Sequence, residues 1–124
     1  MEFKVPKNDA KYHWTNHVVN KMMYYGLSPS RVLRVIRAPK RAEEGVAENT
    51  VAVMQPVGSP KRPQEIWVMY QERGREAKTA KEQLLMTRKK IIITAWRYPG
   101  VSRVRDKVPL PEGLMAELER ENLV

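Results

Sequence analysis

The chain has 124 residues, 42% of them hydrophobic, enough for one modest core and too few for two. It has no cysteine, which excludes a disulfide framework, thiol catalysis and any Cys-based zinc site. Lys and Arg number 23 against 14 Asp and Glu, a formal charge of +9, so the expected partner is a polyanion. Of these, 22 bases but only ten acids precede residue 112, which places the basic surface on the main body and leaves a mildly acidic tail.

No apolar run approaches the roughly 18 residues of a membrane span, and the N-terminus has no hydrophobic signal core. A cytoplasmic protein without membrane contact is expected. Residues 1–14 lack periodicity and read as an extended arm, with Trp14 as a lid over the first helix. Thr15 or Asn16 caps that helix and Gly26 ends it. Within it, Val18, Val19, Met22 and Met23 form an apolar stripe, while His17, Lys21 and Tyr24 line up at i, i+4 and i+7 outside it. Ser28-Pro29 is an N-cap followed by proline at the first helical position, and this second helix runs to about Arg37 before Pro39.

Beyond Pro39 the pattern changes to strands at Thr50–Gln55, Glu65–Gln71 and Lys89–Arg97, the first two joined as a hairpin through residues 58–63. The run Ile91-Ile92-Ile93-Thr94-Ala95-Trp96 is apolar at both alternating positions, which suits the centre of a sheet covered by helices on one side. Residues 73–88 are long and charged for a hairpin connection and read as a basic flap or a short helix. Residues 111–122 carry Leu114, Met115 and Leu118 at helical spacing, with Glu112 near the start. The predicted class is α+β: two N-terminal helices packed on an antiparallel sheet of three or four strands, with an extra strand near Val46 and a C-terminal helix. Residues 1–14 form the arm, 15–110 the domain, and 111–124 the helix beside it.

His17, Met22, Gly26, Leu27 and Ser28, together with Ile92-Ile93-Thr94 and Arg97, resemble the motifs of a family known as domain of unknown function 4258. That family is itself similar to the RelE/ParE-like toxins, and the match spans roughly residues 12–97. Two arginines of its helical motif are replaced, one by Lys21 and one by Tyr25. The first change keeps a cation without bidentate geometry; the second loses the charge. The resemblance implies a RelE-like fold with RNA cleavage or ribosome binding, and an acidic antitoxin-like protein as a further partner.

Metal-free RNA cleavage needs a base for the 2′-hydroxyl proton, an acid for the leaving 5′-oxygen, and a cation near the phosphate. His17 is the candidate acid or base, because imidazole titrates near physiological pH. Lys21 and Arg97 are candidate phosphate ligands, with Tyr98 or Tyr24 as a further donor. Arg31, Arg34 and Arg37 recur every three residues, Lys40 and Arg41 extend the series, and residues 31–41 contain no acid. With Arg88, Lys89 and Lys90 they are the candidate nucleic-acid contacts. Trp67, Tyr70, Trp96 and Tyr98 are candidate stacking platforms, with core packing the expected role of the tryptophans. His13 and His17 stand four apart but lack a third ligand, so neither metal nor cofactor is expected. The reading is an RNA-binding protein with metal-independent ribonuclease chemistry, the alternatives being a non-catalytic RNA- or ribosome-binding module and the toxin-type half of a pair.

Overall fold

A computed structural model describes residues 3–73, 89–104 and 108–120. Among the described residues, eight elements follow in chain order: β1 (Tyr12–Trp14), α1 (Asn16–Tyr25), α2 (Pro29–Arg37), β2 (Arg41–Glu44), β3 (Thr50–Ser59), β4 (Arg62–Arg73), β5 (Lys89–Pro99) and α3 (Leu114–Arg120). The strands form one mixed sheet in the order β1-β5-β4-β3-β2. The protein is therefore α+β, as expected, but its sheet has five strands and is not wholly antiparallel.

The departure lies in the arm. Tyr12, His13 and Trp14 pair in parallel with Lys90, Ile91 and Ile92, so Trp14 enters the sheet as the end of an edge strand instead of forming a lid. Asn8 and Asp9 hold the arm for this pairing: Asn8 Oδ1 accepts from the Trp14 amide, and Asp9 Oδ1 from those of Lys11 and Tyr12. The extra strand expected near Val46 falls just before it, as β2 against β3.

The two helices form where their caps predict. Thr15 accepts from the Val18 amide at the start of α1. At its end, Gly26 adopts the left-handed conformation at φ 67°, and the Leu27 amide reaches back to the Met22 carbonyl. Ser28 accepts from the Arg31 amide ahead of Pro29, which starts α2. The buried faces are narrower or turned relative to expectation. Val18 and Met22 are buried, but Met23 is 50% exposed, and in α2 Val32, Val35 and Ile36 are buried while Leu33 is only half-buried.

Alternation on the strands separates two cores. Val53, Ile66, Val68, Ile92 and Ala95 face α1 and α2, together with Val18, Met22, Val32 and Ile36. Ala52, Met54, Trp67, Met69, Ile91 and Ile93 face the opposite way and are covered by Val108, Leu114 and Leu118. Both sheet faces are thus covered, which is why β5 is apolar at consecutive positions. A register shift aids this arrangement: Tyr70 pairs with Ile92 and Met69 with Thr94, leaving Ile93 as an extra residue in a bulge.

The bulge is tied to the start of α1 by one side chain. Thr15 is fully buried, and its hydroxyl lies 2.9 Å from the carbonyls of both Ile92 and Ile93 while accepting from the Val18 amide. β1 stops there, and from Thr94 onward β5 has no strand beside it on that edge among the described residues. Thr15→Val keeps the shape but removes every one of these bonds, and is expected to cost about 1–2 kcal/mol in urea denaturation, with Thr15→Ser retaining most of the stability. A valine variant with an unchanged midpoint would contradict this role.

Candidate functional site

The end of the β1 pairing creates a cleft. Met69, Thr94 and Trp96 form its floor on the α3 side of the sheet, and the crossing segment from Val108 to Glu112 forms its roof. His17 and Lys21 close it from α1, past the free edge of β5. The cavity volume is about 490 Å³, within the range of small-ligand sites. Most of its wall is apolar; Lys21, His17, Thr94 and Glu112 supply the polar groups.

His17 occupies the first turn of α1, where backbone donors have no helical partner. Its own amide is met by Glu117 of α3, whose Oε1 accepts at 3.3 Å, so the C-terminal helix anchors the start of the first. Its imidazole is left differently: Nε2 is buried and has no hydrogen-bond partner among the described residues. An orphaned buried ring nitrogen is costly and rare. Burial first, and then the neighbouring Lys21 ammonium, push this imidazole below its ordinary value, while Glu117 pulls it the other way without reversing the shift. At neutral pH the ring is therefore uncharged and can accept a proton.

Lys21 stands one turn on, its Nζ 5.8 Å from the centroid of the Tyr24 ring. Tyr24 continues the line outward and is 79% exposed, with its ring edge-on to Tyr25. The other two expected site residues lie elsewhere. Arg97 is on the α1 face of the sheet, where its Nε donates to the Tyr25 carbonyl at 2.9 Å, satisfying the end of α1. Tyr98 pairs in register with Glu65 near the end of β5 and is 40% exposed. The cleft brings together His17 and Lys21 alone of the four.

The candidate nucleic-acid contacts divide in the same way. Arg34, Arg37 and Lys40 are exposed and Arg31 is half-exposed along α2 and its exit, and no described carboxylate pairs with them. Arg41 leaves the row. Its guanidinium turns into the protein, to Glu43, to the Ser102 carbonyl at 2.8 Å and toward Glu65 at 3.6 Å, over the face of Trp67. Glu65 is the centre of that group: it accepts from the Trp67 indole at 3.0 Å and from the amide and hydroxyl of Ser102. Burial alone would raise its carboxyl, but the Ser102 and Trp67 bonds and the Arg41 charge outweigh it and hold it below the ordinary range. Lys90 faces Glu72 at 3.5 Å and the Tyr70 ring, Lys89 is half-buried on β5, and Arg88, with most of the expected flap, lies outside the described residues.

Trp67 is buried and stacks in parallel on Trp96 at 5.7 Å, as befits core residues, although Trp96 also reaches the cleft. His13 sits in β1 and shares no helical face with His17. Among the described residues no group of three His, Cys, Asp or Glu is placed to hold a metal, and no helix is long and apolar enough to cross a membrane. Sequence reasoning missed Thr94, Glu112 and Glu117 as parts of the site. Their only signal was chemical type, since Glu117 lies 100 residues from the histidine it serves. No family model, no curated protein and no solved structure matches the chain.

Nuclear magnetic resonance titration of the His17 ring is expected to give a midpoint below the ordinary imidazole value of about 6.5. Lys21→Ala should raise that midpoint and Glu117→Gln lower it further. Since the folded ring binds protons more weakly than the unfolded one, its contribution to stability is complete above the ordinary value and falls as the pH drops through it. A His17 midpoint at or above 6.5 would refute this description of the cleft.

Proposed function

We propose that this is an RNA-binding protein of RelE-like type, with the His17–Lys21 cleft as a site of metal-independent phosphodiester cleavage. The observation that carries the binding claim is the contrast among the arginines. Arg41 and Arg97 are held by groups of the protein, whereas Arg31, Arg34 and Arg37, with Lys40, stand along α2 without a described carboxylate. Burial of Val32, Val35 and Ile36 fixes that helix, so its cations are presented in a row on a rigid element. A row of this kind meets phosphates by charge and gains from counterion release.

The cleavage claim rests on the neutral His17 ring. It takes the proton of a 2′-hydroxyl whose oxygen attacks the adjacent phosphorus, forming the 2′-O–P bond as the P–O5′ bond breaks. The Lys21 ammonium sits near the developing charge and returns a proton to the departing 5′-oxygen. The products are a 2′,3′-cyclic phosphate and a 5′-hydroxyl, and no magnesium takes part. Arg97 has no share in this step, being engaged at Tyr25.

A second reading keeps the RNA binding and drops the chemistry. It is favoured by the single cation, Lys21, that α1 brings to the cleft, and by Tyr25, which stands where the motif of the resembled family has an arginine. The two readings separate on one experiment in EDTA with a mixed single-stranded RNA. Retention should weaken steeply with salt, and changing Arg31, Arg34 and Arg37 together to Ala should reduce the slope of log K against log salt by about 2. Cleavage to cyclic phosphate ends, lost in His17→Ala, supports the ribonuclease; retention without cleavage supports the binding module. Retention that ignores both salt and the triple variant overturns the proposal, and 3′-hydroxyl ends overturn the mechanism.

A further inference from the structure

The cleft has the composition of a base-binding pocket rather than of a bare phosphate site. A phosphate needs cations and amides, yet apart from Lys21 and His17 most of this wall is carbon, contributed by Met69, Trp96, Leu110 and the flanking prolines. A volume of about 490 Å³ accommodates one nucleotide with its base, and an unpaired base enters without the few kcal/mol that flipping one out of a duplex costs. Resting on the RNA-binding reading, we propose that the cleft takes a single unpaired guanine nucleotide, its phosphate on Lys21 and its Watson–Crick edge on Glu112.

The choice of base follows from Glu112. The residue lines the cavity and sits at the corner of a tight turn, in which the Leu114 amide donates to the Pro111 carbonyl at 3.2 Å and Gly113 takes φ 79°. That turn holds the residue between the roof segment and α3. A carboxylate only accepts hydrogen bonds. Guanine offers it two adjacent donors, N1–H and the 2-amino group, in a bidentate match. Uracil offers N3–H alone, flanked by two carbonyl oxygens that the carboxylate repels. Thr94, whose hydroxyl-bearing side chain lies on the floor, can donate to or accept from the remaining base edge.

The test uses the full chain with guanosine and uridine 3′-monophosphates as probes, followed by amide chemical shifts. The expected result is saturable binding with shifts at residues 94–96 and 108–112, and a preference for the guanosine compound of about tenfold, the scale of one bidentate base contact. Glu112→Gln, a change at an exposed position, should reduce that preference to less than about threefold, while Lys21→Ala should weaken both nucleotides equally. Equal binding of the two probes, a preference untouched by Glu112→Gln, or shifts confined to other residues would each overturn the inference. Lys61→Ala, at the exposed β3–β4 turn, should leave nucleotide binding as it is. RNA retention in a protein that fails to select guanosine therefore sinks the pocket and not the RNA-binding reading; selective nucleotide binding without RNA retention does the reverse.

Discussion

The Thr15 hydroxyl holds together the three features on which the site depends. It receives the Val18 amide, and so begins α1; it meets the carbonyls of Ile92 and Ile93, and so fixes the bulge in β5; and by turning the chain out of the sheet it ends β1 after three residues. Had the arm continued along β5, the edge beside Thr94 and Trp96 would be paired. The open edge is therefore a product of helix capping. A side chain that is fully buried can serve in this way because its hydroxyl is engaged both as donor and as acceptor.

Two opposing demands on charge shape the rest of the molecule. A protein of formal charge +9 repels itself, and its 14 carboxylates can pair with only some of its 23 cations. Arg41 is matched by Glu43 and Glu65 around the stacked Trp67 and Trp96, and this group fastens Ser102, and with it the chain leaving β5, to the sheet. The α2 row has no such match among the described residues. Uncompensated cations on a well-packed helix carry a cost in self-repulsion that binding to a polyanion would offset. In the cleft His17 adds no further charge, because its half-buried ring is pushed away from the charged form by burial and by Lys21.

Local chemistry was the legible part of this sequence. Thr15 and Gly26, Ser28 and Pro29 mark the two helices because capping is decided within a few residues. The hairpin between β3 and β4 and the apolar run of β5 were visible for the same reason. What was hidden depends on distant partners. Tyr12-His13-Trp14 has no strand pattern of its own and becomes one by pairing with Ile91 and its neighbours. Met23 is left exposed, and Val35 rather than Leu33 is buried, because the fit of each helix to the twisted sheet, and not its own periodicity, sets which side turns inward. Of the site, His17 and Lys21 were readable as one turn of a helix, while Arg97 was misplaced. Strand alternation after the Ile93 bulge sends it to the α1 face, a shift that no local pattern announces.

RNA is proposed to meet this protein along α2 and at the His17–Lys21 cleft. The most direct test is a map of amide chemical shifts on adding a short single-stranded RNA in EDTA. The largest changes are expected on residues 31–40 and on His17, Lys21, 94–96 and 108–112, with little change in β2 or at the β3–β4 turn. Shifts concentrated on β2 and that turn, or none at RNA concentrations that saturate retention, would contradict it.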